Sequence, residues 1–161
     1  MPSIVPAVNS GQLVVKVHRG PMVESQHAVS LIVSDLTGKC PVALGDPEAL
    51  VMPRSAIKPI QALILAESGA IATYGLDARH LSFACASHNA EEPHLELARD
   101  WLGRLGLEDD DLECGAHAPL NPFTGGPRYK VEPAGRISNN CAGKHLGFLS
   151  ACLQRGWPLK G

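Results

Sequence analysis

Ser55 and Lys58 stand three residues apart in the run Val51-Met52-Pro53-Arg54-Ser55-Ala56-Ile57-Lys58-Pro59-Ile60-Gln61-Ala62-Leu63. On a helix, side chains at i and i+3 share one face a turn apart, so hydroxyl and amine can meet. Serine is a weak nucleophile at neutral pH, and an adjacent base is one way to activate it. Lysine can be that base when burial or a positive neighbour disfavours its charged form. Ala56, Ile57, Ile60, Leu63 and Ile64 are the residues expected to provide apolar surroundings. The predicted chemistry is attack by Ser55 with Lys58 taking its proton. The plainer alternative is a capping serine beside a solvated lysine.

Two more segments carry reactive side chains. In Ala86-Ser87-His88-Asn89-Ala90-Glu91-Glu92, Ser87 or His88 is a candidate second member of a site with Ser55. The alternative is local capping, with Asn89 and Glu92 closing a helix start. Cys141, at the opening of a later helix, is the cysteine best placed for reactivity. Cys141 and His145, at i and i+4, form a candidate pair of zinc ligands, against the alternative of a small buried cysteine. Cys40, Cys85, Cys114 and Cys152 receive no role. Gly125-Gly126-Pro127 lacks the following helix and lysine of a phosphate-binding loop.

The elements that must position these residues follow from breakers and periodicity. Leu13 to His18 and Ala28 to Ser34 read as strands paired antiparallel, separated by Gly20-Pro21. Asp35-Leu36-Thr37-Gly38 reads as a tight turn before an extended piece from Cys40 to Leu44. Pro59 is tolerated only in a first helical turn, so the helix begins near Ser55 and runs to about Ser68, stopped by Gly69. The residue before a proline is pushed off helical angles, which predicts irregular geometry there.

Leu76, His80 or Leu81, Ala84, Cys85 and His88 recur at helical spacing, so Asp77 is placed to cap a short helix, with a buried strand over Leu81–Cys85 as the rival. A clearer helix spans Pro93 to Leu105, with Leu95, Ala98, Leu102 and Leu105 as its apolar stripe and Pro93 at its first position. Glu108 to Glu113 reads as a solvated turn or a helix start, and Ala116 to Arg136 as a long functional loop. Asn139-Asn140 open a last helix to about Arg155, with Cys141, Lys144, His145, Phe148, Leu149 and Cys152 on one face.

The chain has 161 residues, 45% hydrophobic and 19% charged, which describes a globular protein with a real core. Aromatic content of 4% with abundant alanine and glycine predicts close packing of small-residue helices. A net charge of −2 and no basic cluster argue against nucleic acid. No apolar run reaches membrane-spanning length. Five cysteines without a CxxC pair argue against a disulfide framework, and the expected compartment is the cytoplasm. Strands come early, helices follow and no strands return, so the pattern is α/β (α+β) and reads as one incomplete domain.

Taken together, Pro53-Arg54-Ser55-Ala56-Ile57-Lys58-Pro59, Cys85-Ala86-Ser87-His88-Asn89 and Asn139-Asn140-Cys141-Ala142-Gly143-Lys144-His145 resemble the signature segments of Rhizobium-type (asparaginase II) L-asparaginases. The resemblance covers nearly the whole chain but only the N-terminal half of such a protein. It implies a fold like that of serine β-lactamases and penicillin-binding proteins, and hydrolysis of L-asparagine. Ser55 would match the nucleophile, Lys58 its base, and Ser87 a second serine that pairs with a lysine of the C-terminal half. Arg54, His88 and His145 would bind substrate or orient the site. Cys141 and Lys144 would match two zinc ligands, the third being a later cysteine, so Lys144 displaces His145 from the pairing above. The resemblance also implies a homodimer. A different serine–lysine hydrolase, acting on glutamine or a β-lactam, and an inactive truncated interaction module are the alternatives.

Overall fold

A computed structural model describes residues 13–46, 48–118 and 135–160. These gather into two units, divided between Met52 and Pro53. Most of the predicted long loop, from 119 to 134, lies outside the described residues.

The first unit is two antiparallel hairpins. Strand β1 (Leu13–Arg19) pairs with β2 (Met22–Val29), and β3 (Leu31–Val33) pairs with β4 (Val42–Leu44). The expected partner of the first strand is therefore corrected. Gly20, at φ +59, turns the chain straight into β2, and Ser30 separates β2 from β3 within the segment read as one strand. The predicted turn is present, with the Asp35 carboxylate accepting from the N–H groups of Thr37 (2.8 Å) and Lys39 (3.0 Å).

The second unit is helical. A 3-10 turn (Arg54–Ile57) leads into α1 (Lys58–Gln61) and, past Ala62, α2 (Leu63–Ser68). Pro59 sits in the first turn of α1, as its missing N–H requires. The irregularity lies earlier than expected. Lys58 itself is helical at φ −55, ψ −37, and the distortion is the 3-10 turn with Arg54 at φ +48. Gly69 ends α2 in the left-handed region. Helix α3 (Ala70–Thr73) follows, then α4 (Ala78–Cys85). The Asp77 carboxylate accepts from the N–H of Arg79 at 2.9 Å, so the capped helix is realised and the rival strand is not.

Helix α5 (Glu92–Leu105) is capped differently from expectation. Glu91 is its N-cap, and His94 Nδ1 accepts from the Glu91 N–H at 3.2 Å, with no part for Asn89. Helix α6 (Ala142–Arg155) has Cys141 as N-cap and ends at Gly156.

The core lies between α2, α4, α5 and α6, around Leu65, Phe83, Ala98, Trp101, Leu112, Leu146 and Leu149. Each large apolar side chain fully removed from water contributes about 1.5–3 kcal/mol. Trp101 is fully buried, and its indole N–H donates to Ser150 Oγ at 2.9 Å. The buried face of α6 is Ala142, Gly143, Leu146, Gly147 and Leu149, and it shares only Leu149 with the face read from Cys141 to Cys152. A Cβ on Gly143 would lie 2.2 Å from the Phe83 carbonyl oxygen, so only glycine lets α6 approach α4 this closely. That approach brings the start of α6 to the end of α4, where the Ser87 segment begins.

Candidate active site

Lys58 is the centre of the arrangement. It is 2% exposed although charged side chains are rarely buried without partners. Its Nζ donates to the Ala86 carbonyl at 2.6 Å, to Ser87 Oγ at 2.9 Å and to the Asn140 carbonyl at 3.1 Å. Three oxygens match the three N–H donors of an ammonium. Two of them can only accept. Ser87, being a hydroxyl, can also donate, so it is the one partner through which a proton can pass. The burial does not come from the residues predicted to supply it. Ile60, Leu63 and Ile64 are all exposed, Ile60 by 65%, and the amine is instead enclosed by loops following α4 and preceding α6.

Ser55 is exposed and belongs to the 3-10 turn. The Lys58 N–H donates to the Ser55 carbonyl, but no hydrogen bond joins Ser55 Oγ to Lys58 Nζ among the described residues. Arg54 is exposed, and its guanidinium makes no hydrogen bond or ion pair among the described residues. Its positive φ immediately before Ser55 is uncommon for a residue with a Cβ.

His88 is 4% exposed and packs on Phe83, ring centroids 4.7 Å apart, and on His94 at 5.3 Å. Its Nδ1 accepts from the Ala90 N–H at 3.1 Å, so the neutral ring carries its proton on Nε2. That nitrogen has no hydrogen-bond partner among the described residues. Burial, with repulsion from His94 and Lys58 adding to it, lowers the His88 pKa to about 4, and the Asn139 backbone opposes only weakly. His145 is half-buried, and its pKa is lowered too, first by burial and then by Lys144 and Lys58, against Glu113. Both imidazoles therefore feel the Lys58 charge.

Cys141 is half-buried, and its N–H donates to Asn139 Oδ1 at 2.9 Å. Lys144 Nζ stands 5.9 Å from the Phe148 ring centroid. Cys114, given no role by sequence, is a neighbour of both. Burial raises its thiol pKa, Cys141 raises it further and Lys144 opposes. Among the described residues no three His, Cys, Asp or Glu side chains converge to hold a metal ion. Cys141 and Lys144 alone do not close a four-coordinate zinc site.

The segment from Gly135 to Cys141 is held in a way the sequence did not announce. Both Asp109 carboxylate oxygens accept backbone N–H groups, from Ile137 and Arg136, each at 2.8 Å. Arg136 Nη1 donates to the Leu112 carbonyl at 2.6 Å, and Asn139 Nδ2 to the Gly115 carbonyl at 2.9 Å.

A buried amine on a serine hydroxyl, enclosed by the loops after α4 and before α6, is an arrangement suited to hydrolytic chemistry. The chain belongs to the L-asparaginase II family, whose model matches residues 15–161. Membership brings an asparaginase-type amidohydrolase function on a small-molecule substrate. No curated protein matches the chain. No helix among the described residues is long and apolar enough to cross a membrane.

Proposed function

We propose that the chain carries the Ser–Lys dyad of an L-asparaginase active site. Ser55 Oγ attacks the side-chain amide carbon of L-asparagine, and its proton goes to Lys58 in its neutral amine form, completing the three-donor ammonium that faces Ala86, Ser87 and Asn140. Ser87 relays a proton to the departing nitrogen, which leaves as ammonia. Water then cleaves the aspartyl ester on Ser55, releasing L-aspartate and restoring the hydroxyl. The observation that carries this reading is the buried Lys58 amine 2.9 Å from Ser87 Oγ, which gives the lysine a route for its proton. The absence of a Ser55–Lys58 side-chain hydrogen bond is compatible with it, because catalytic hydrogen bonds often tighten only when substrate binds. His88 and His145, both disfavoured as cations beside Lys58, act in this reading as neutral neighbours of the site. Arg54, exposed next to Ser55, is available to a substrate carboxylate.

The reading includes a fold like that of serine β-lactamases, supported by the Ser–Lys pair at a helix start. It also includes zinc held in part by Cys141 and Lys144, to which no step of the reaction is assigned. Zinc stoichiometry after gel filtration tests that part, and full activity in a metal-free chain removes it.

The test of function is ammonia release from asparagine by the wild-type and Ser55→Ala chains, with glutamine and a labelled penicillin in parallel. Release from asparagine that disappears in Ser55→Ala is expected. Turnover of glutamine alone, or penicillin acylation without asparagine turnover, assigns the site to a different serine–lysine hydrolase. Retained activity in Ser55→Ala removes Ser55 as the nucleophile.

A further inference from the structure

We propose that Asp109 is a positioning residue for Lys58, acting through the backbone of the 135–140 segment. The inference rests on the reading of Lys58 as the proton acceptor, and its geometry is independent of that reading. Asp109 lies in a short 3-10 turn (Asp109–Asp111) that begins four residues after α5 ends. Its carboxylate takes the N–H groups of Arg136 and Ile137, 27 and 28 residues away, both at 2.8 Å. A carboxylate accepting two backbone donors makes charge-assisted bonds, stronger than neutral ones. Three residues further on, the same segment presents the Asn140 carbonyl to Lys58 Nζ at 3.1 Å.

The linkage is short and stiff. Residues 136–138 form one 3-10 turn, with Ser138 N–H bonded to the Gly135 carbonyl and Asn139 N–H to the Arg136 carbonyl. Asn139 is fixed on both sides, its amide nitrogen donating to the Gly115 carbonyl and its oxygen accepting from the Cys141 N–H, both at 2.9 Å. A Cβ on Gly135 would lie 3.2 Å from both Asp109 oxygens, so the carboxylate sits hard against the backbone it holds. Releasing Asp109 frees the start of this segment and, with it, one of the three oxygens that define where the Lys58 amine sits.

Asp109→Asn tests this in the whole chain, because it keeps the side-chain shape and sets an NH2 against one of the two backbone donors. Brief acetic anhydride labelling, read by peptide mass, reports the exposure of the Lys58 amine without any need for activity. The expected result is a rise in Lys58 labelling of about tenfold, from loss of a charge-assisted bond, with Lys16, Lys39 and Lys160 unchanged. Ser150→Ala, which removes the Trp101 hydrogen bond in the core, is the comparator for general loosening and should leave Lys58 labelling at the wild-type level. With asparagine as substrate, Asp109→Asn should lower kcat with little change in KM. Unchanged Lys58 labelling in a folded Asp109→Asn chain, or an equal rise in Ser150→Ala, overturns the inference. Should Asp109→Asn not fold, hydrogen exchange in the native chain decides: slow exchange at Arg136 and Ile137 supports the inference and fast exchange overturns it. Ammonia release that persists in Ser55→Ala would sink the catalytic reading and leave the labelling result standing, so the two failures are separable.

Discussion

Lys58 and Ser55 are neighbours in sequence and opposites in surroundings. Lys58 is buried, and each of its N–H donors has an oxygen partner, drawn from segments 28, 29 and 82 residues away. Ser55 lies in an exposed 3-10 turn behind the positive φ of Arg54, with no side-chain bond to the lysine. One half of the pair is preorganised by tertiary structure, and the other is set by a local turn. The lysine side should therefore be coupled to stability as well as to activity, and the serine side to activity alone.

The sharpest way to break that contrast is a pair of substitutions. Lys58→Met should lower ammonia release by about 10²- to 10⁴-fold, the range for loss of a general base. It should also cost roughly 3 kcal/mol of stability, because the carbonyls of Ala86 and Asn140 lose their donor inside the protein. Ser55→Ala should abolish ammonia release while moving stability by no more than about 0.5 kcal/mol. Chemical denaturation alongside the activity assay checks both, and a large stability loss in Ser55→Ala would dissolve the distinction.

Gly143→Ala probes the packing that sets the lysine side. Its Cβ would meet the Phe83 carbonyl at 2.2 Å, so α6 must move away from α4. Overpacking of this kind costs about 1–3 kcal/mol, and a loss that large by urea titration is the expected outcome.

His88 makes the same side sensitive to acid. Its pKa is about 4 in the folded chain against 6.5 for an ordinary histidine, so between those values the unfolded chain binds the extra proton. Stability contributed by the neutral ring is fully present above pH 6.5 and falls as pH drops toward 4. His88→Gln should remove on the order of 3 kcal/mol from the pH dependence across that window. Unfolding curves at several pH values test this, and an unchanged slope contradicts it. The smallest effect belongs to a surface pair, Arg99 with Glu92 at 2.9 Å. Arg99→Ala should change stability by less than about 1 kcal/mol.

What could be read from sequence was local. Pro59 placed the helix start, Asp77 announced its cap, and Gly69 and Gly106 marked helix ends where the backbone turns left-handed. The three motifs around Ser55, Ser87 and Cys141 pointed to the family that the match over residues 15–161 shows. Strand β2 was missed up to His27, because Glu24, Ser25, Gln26 and His27 run polar through its middle and leave no alternating stripe to read. The buried face of α6 was harder to read because Ala142, Gly143 and Gly147 share it with Leu146 and Leu149, and small residues carry little periodic signal. The partners of Lys58 and Asp109 were invisible for a different reason. They are backbone groups brought in by tertiary folding, and backbone groups have no sequence signature.

The central claim is that Ser55 forms the covalent bond while Lys58 and Ser87 manage the proton. Acid quench of the chain during turnover of L-asparagine, followed by peptide mass mapping, tests it most directly. An aspartyl adduct on the peptide carrying Ser55, absent in Ser55→Ala, is the predicted result; an adduct on Ser87, or turnover without any adduct on Ser55 at any quench time, would contradict it.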